Sequence, residues 1–113
     1  MLKKIIDEQR DFQRNFFDLD TMSEKDRVNF TKENILAAHR ELSEILSAVP
    51  SKSWRVESTD YDIDHVKEEI IDAFKFLLNV AILWGIDDTE LYDIFMAKSK
   101  VVRERFEKEF NSK

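Results

Sequence analysis

Cysteine is absent from the 113 residues, which removes any disulfide framework, thiolate metal site or cysteine nucleophile. One glycine and one proline leave little turn chemistry, so a many-stranded sheet with tight turns at short intervals is excluded. Long apolar runs are missing as well. The longest, Phe76 to Ile86, is interrupted by Asn79 and Gly85 and is too short to span a bilayer. The opening MLKKIIDEQR meets charge within its first residues and has no signal-peptide core, so a soluble, cytoplasmic chain without membrane contact is expected. An excess of positive charge is lacking too. The net charge of −6 argues against unaided binding to nucleic acid, though not against a nucleotide that brings its own magnesium.

What remains is rich in helix-forming pattern. The length suits one domain over residues 1–113, and the fold class expected is all-α, a compact four-helix bundle. A first segment, about Leu2 to Leu19, carries Ile5, Ile6, Phe12, Phe16 and Phe17 at helical spacings, followed by a polar connection in which Ser23 can cap a short turn. A second starts near Thr31, places Ile35, Ala38, Leu42, Ile45, Leu46 and Val49 on one face, and stops at Pro50. Residues 51–61 read as a loop. A third begins at Asp62 or Asp64 and runs to Trp84, with Gly85 suited to the left-handed position beyond it; its apolar surround predicts a central helix covered on several sides. Asp87 and Glu90 have capping-box-like spacing and open a fourth, with Leu91, Ile94, Phe95, Val101 or Val102, Phe106 and Phe110 as its apolar positions.

Two acidic pairs stand out on these helices. Glu41 and Glu44 lie one turn apart on the second helix; Glu69 and Asp72 repeat the spacing at the entrance to the most apolar helix, where unpaired charge is expensive. Pairs of this kind on neighbouring helices can aim four carboxylates at one point. Such a cluster is stable only around a multivalent cation, and oxygen ligands without histidine or cysteine suit magnesium, with manganese also possible. The plainer reading is a solvated acidic face, common in a chain with 24 acidic residues. His39 and His65 lack a partner set and read as ordinary surface or helix-end residues.

The flanking residues carry a resemblance. ELSEILSAVPSKSWR followed by EEIIDAFKFLLN resembles the metal motifs of the all-α nucleoside triphosphate pyrophosphatases, the superfamily of MazG and the dimeric dUTPases. The dimeric dUTPase and dCTPase branch is the nearer likeness: an acid pair, then Ser47, Pro50, Lys52 and Trp54, then Glu69, Asp72 and Phe76. WGIDDTELYDIFMAKSKVVRERFEKEF resembles that branch's last helix, and the likeness spans about Asn34 to Phe110. It implies that Glu41, Glu44, Glu69 and Asp72 hold magnesium, with Glu41 also orienting or deprotonating the attacking water. It implies further that Lys98 and Arg105 neutralise the triphosphate, that Lys52 contacts substrate, and that Trp54 and Phe76 pack near the base. Gln9 in DEQRDFQ resembles a residue that reads the base edge, and Gln13 stands where that branch has asparagine. The reaction implied is hydrolysis of a nucleoside triphosphate, dUTP first among them, to the monophosphate and pyrophosphate by a homodimer or homotetramer.

The chain also departs from the pattern. Ser99 and Val102 replace asparagines, and Lys75 replaces a histidine, at positions that help recognise base and sugar. Specificity is therefore less well carried over than catalysis. A catalytically silent nucleotide-binding relative and an acidic helical module for protein contacts remain as alternatives.

Overall fold

The computed structural model describes residues 1–50 and 61–111, and within them the chain is all-α. Its four helices are α1 (Leu2–Gln13), α2 (Glu24–Ala48), α3 (Ile63–Leu83) and α4 (Asp88–Asn111). The four-helix architecture expected from the sequence is the one found.

Short polar residues set most of the boundaries. Ser23 Oγ accepts from the Asp26 N–H at 3.0 Å, so the serine opens the 25-residue α2 rather than a short turn, seven residues before Thr31. Residues 24–30 belong to the helix although they carry little apolar periodicity. Asp62 caps α3 by accepting from the Asp64 and His65 N–H groups. Asp87 caps α4, its Oδ1 accepting from the Glu90 N–H at 2.8 Å. At the other end of α2, Val49 is extended, as the residue before a proline is expected to be. Helix α1 stops at Gln13, short of Leu19; the Phe16 and Phe17 N–H groups bond back to the Gln13 carbonyl in a closing turn.

Beyond α3, Gly85 adopts φ +74°. The Ile86 N–H reaches the Ala81 carbonyl and the Gly85 N–H the Ile82 carbonyl, which satisfies the last carbonyls of the helix in a Schellman arrangement. The turn then releases the chain into α4.

Helices α2 and α3 run antiparallel along each other, so that Thr31 meets Trp84 and Asn34 meets Asn79. Helix α1 crosses the C-terminal half of α3. The core forms there from Ile6, Leu78 and Ile82, with Leu2, Leu19 and Leu91 packed against it. Through Leu91 the first turn of α4 joins this core, and along its length the α4 backbone approaches that of α1 and not that of α2 or α3. The rest of α4 projects. Its apolar positions Ile94, Phe95, Val101, Val102, Phe106 and Phe110 are all exposed, in contrast to the core role their spacing suggests. On α3 the side turned away from α1 and α2 is open too: Ile70, Ile71, Phe74 and Leu77 face solvent, so the central helix is covered on one side only. The radius of gyration of 18.1 Å reflects the projecting helix, since a compact domain of this size has a radius near 13 Å.

Candidate active site

The antiparallel pairing of α2 and α3 brings the two acidic segments together. Oxygens of Glu41, Glu69 and Asp72 lie within 4.8 Å of one another. Glu41 and Glu69 are half-buried and Asp72 is exposed. Glu44, one turn beyond Glu41, is exposed and stands outside the triad, yet its charge reaches Glu69. Three of the four expected ligands therefore converge, with the fourth at their edge.

Glu69 registers the strain of this arrangement. Burial raises its carboxyl above the ordinary 4.5, and the charges of Glu41, Asp72 and Glu44 push it further in the same direction. His65, its Nε2 at 3.7 Å from Glu69 Oε1, is the one neighbour that opposes the rise. The histidine is thus a neighbour of the site, one turn before Glu69, which residue type alone did not indicate. A desolvated carboxylate crowded by like charges is stabilised by a divalent cation with a preference for oxygen ligands, so the donor set fits magnesium. A cavity of about 280 Å³ opens beside the triad, lined by Glu44, Ser47, Pro50, Tyr61 and His65 among others.

A second constellation lies along the same two helices, two turns from the acids. Gln13, Asn34 and Asn79 line a cavity of about 260 Å³ together with Phe12, Phe16, Phe17, Phe30 and Glu33. The rings pack in pairs, Phe12 against Phe16 at 5.4 Å and Phe17 against Phe30 at 5.3 Å. Gln9 donates its Nε2 N–H to Asn79 Oδ1 at 2.7 Å from behind this wall. Gln13 is nine-tenths buried and its side chain has no hydrogen-bond partner among the described residues. Amides embedded in aromatic walls are what a planar, hydrogen-bonding ring requires.

The two asparagines were not among the residues singled out from sequence. Asn79 left a signal, as the one amide inside the longest apolar run; Asn34 left none until its register with α3 was known.

The chain matches the family model described as dUTPase over residues 1–111. It belongs to the dimeric dUTPase family. No curated protein and no solved structure matches it significantly. Membership of the dUTPase family carries nucleoside triphosphate hydrolysis, a nucleotide substrate and oligomerisation in general terms. No helix among the described residues is long and apolar enough to cross a membrane.

The remaining residues implied by the dUTPase resemblance are less gathered. Phe76 is half-buried on α3, one turn beyond Asp72. Lys98 and Arg105 are exposed on the projecting part of α4, which contacts neither α2 nor α3, so one chain does not bring them to the acids. Lys52 and Trp54 lie outside the described residues.

Proposed function

We propose that the protein hydrolyses dUTP to dUMP and pyrophosphate in a magnesium-dependent reaction, as a cytoplasmic homodimer. The observation that carries this reading is the convergence of Glu41, Glu69 and Asp72 on two antiparallel helices, in a chain of the dUTPase family. Glu41, Glu69 and Asp72 would hold the cation, with Glu44 joining them. Bound there, magnesium supplies Lewis-acid polarisation of the phosphoryl oxygens and of the attacking water.

The protein's own groups supply the rest. Glu41 orients the water and takes its proton as the oxygen attacks phosphorus; pyrophosphate leaves and dUMP remains. The base enters the phenylalanine-walled cavity, where Gln13 holds its polar edge and Gln9 supports it through Asn79, while Phe76 packs nearby. Lys98 and Arg105 neutralise the triphosphate, together with Lys52, and Trp54 is the further aromatic residue assigned to the base. Because α4 stands away from the acids within one chain, its basic residues reach a triphosphate in the dimer, where the exposed apolar positions of α3 and α4 are covered by a second copy. Burying such side chains stabilises association by about 1.5–3 kcal/mol for each one fully removed from water.

The test is pyrophosphate release from a panel of ribo- and deoxynucleoside triphosphates, with magnesium and with chelator. Magnesium-dependent release that favours dUTP is expected. No release from any nucleotide, by protein shown to be folded, overturns the proposal.

A further inference from the structure

A cavity of about 410 Å³ opens between the end of α1 and the turn that follows it. It shares Phe17 with the phenylalanine-walled cavity and no residue with the acid triad. Its floor is apolar, formed by Phe17, Leu19 and the fully buried Ile82. Arg10 and Arg14 line it from the last turn of α1 and its cap, and Asp18 and Asp20 line it from the turn beyond. Spaced four residues apart, the arginines share one face of the helix, with β-carbons about 6 Å apart.

The charges around this cavity are only loosely engaged. Arg10 Nη1 lies 3.6 Å from Asp7 and Arg14 Nη1 lies 3.7 Å from Asp11, and neither guanidinium donates a hydrogen bond among the described residues. Asp18 Oδ1 accepts from the Asp20 N–H at 2.9 Å, while the Asp20 carboxylate has no hydrogen bond or ion pair among the described residues. Basic side chains near a helix C-terminus complement its dipole, but that role calls for neither an apolar floor nor two carboxylates beside them.

A ligand that satisfies every part of this wall carries an anion for the guanidinium forks, hydroxyls for the carboxylates and a flat ring for the apolar floor. A bare inorganic anion suits the arginines but is repelled by the aspartates. A simple cation meets the reverse. A nucleoside monophosphate carries all three groups, and the volume is of the size that small ligands occupy. With a net charge of −6 the chain as a whole repels anions, so a phosphate held here is held by the local groups. We propose that this cavity is a second nucleotide site, which binds a nucleoside monophosphate without a metal ion. Arg10 and Arg14 hold the phosphate, Asp18 and Asp20 accept from the sugar hydroxyls, and the base lies against Phe17.

The experiment is equilibrium dialysis of radiolabelled UMP against the full chain in chelator, with folding checked by thermal melting. Without a divalent cation the acid triad repels phosphate, so UMP that binds under these conditions reports the arginine-lined cavity. A single UMP per chain is expected. Arg10→Gln and Arg14→Gln should each weaken it by about tenfold, the scale of one hydrogen bond to a charged group. Lys98→Gln combined with Arg105→Gln, on α4, should leave it unchanged. Uridine, which lacks the phosphate, should bind at least about tenfold more weakly than UMP. Asp20→Leu separates a nucleotide site from a plain anion site: loss of the acceptor should weaken UMP by about threefold, whereas inorganic phosphate, relieved of a negative neighbour, should compete no less well. No UMP bound in chelator, no effect of either arginine variant, an equal loss in the α4 variant, uridine as tight as UMP, or tighter binding of both UMP and phosphate to Asp20→Leu overturns the proposal. Pyrophosphate release in magnesium is read separately. Its absence with every nucleotide would overturn the hydrolase reading alone, and release without UMP binding in chelator would overturn the second site alone.

Discussion

Helices α3 and α4 are of similar length, 21 and 24 residues, and both carry large apolar side chains at helical spacing, yet they meet opposite fates. Helix α3 buries Ala73, Leu78, Asn79, Ile82 and Leu83 against α1 and α2; among the described residues α4 buries nothing. The pattern of a helix states which face seeks cover but not where the cover comes from. For α3 much of it comes from the same chain, and the acid triad and the amides of Gln9, Asn34 and Asn79 sit where that cover is provided. For α4 it does not, and this is why the basic residues on α4 stand apart from the acids on α2 and α3.

The contrast can be broken most strongly at the triad. Glu41→Gln and Glu69→Gln should each lower pyrophosphate release by at least about a hundredfold while leaving the melting transition in place, since outer partners of metal ligands alone cost up to that much. Full activity in both variants would remove the acids of α2 and α3 from the chemistry. Next in size is the core. Ile82→Ala should cost about 2–5 kcal/mol in denaturant unfolding, whereas Val102→Ala on α4, read under monomeric conditions, should stay within about 0.5 kcal/mol. Equal losses would mean that α4 is as well covered within one chain as α3.

A smaller effect is expected from Phe95→Asp. It should weaken self-association by roughly tenfold to a hundredfold in sedimentation measurements, the scale of one apolar side chain withdrawn from an interface, without changing helix content. An unchanged sedimentation profile would place the partner surface elsewhere. The mildest prediction concerns pH. Because the folded chain raises the Glu69 carboxyl above 4.5, it binds that proton more tightly than the unfolded chain does. The associated stability is fully present below 4.5 and is lost as pH rises through the raised value. Metal-free protein should therefore melt progressively lower as the pH climbs from 4.5 toward neutrality, and Glu69→Gln should flatten that slope. A slope unchanged in the variant would assign it to other groups.

The helices themselves were largely legible because their ends are written in local chemistry. Ser23, Asp62 and Asp87 act through their own side chains, Gly85 through its freedom at positive φ, and Pro50 through the residue before it. Where local chemistry was weak, the boundaries moved. Residues 24–30 show no apolar stripe, so the periodic pattern begins seven residues after α2 does, and Phe16 and Phe17 have the spacing of a helix that has already ended at Gln13. The site divides in the same way. Glu41, Glu69 and Asp72 could be singled out from spacing on each helix, and the register of the antiparallel pair is what brings them together. The Asn34–Asn79–Gln9 row depends on register between residues 45 and 70 positions apart, which no local pattern specifies.

The turn at Gly85 carries a consequence for how such a protein can change over generations. Among the described residues it is the only one at positive φ, and nothing lies within 4 Å of where a β-carbon would stand. The heading of the fourth helix thus passes through the handedness of one backbone position, with Leu91 tying its first turn to the core. A substitution there acts on the bearing of a 24-residue lever while the carboxylates, some four turns back along α3, keep their places. Because the same lever carries Lys98 and Arg105, a change at this single codon would move the assembly surface and the basic residues proposed to meet the triphosphate together.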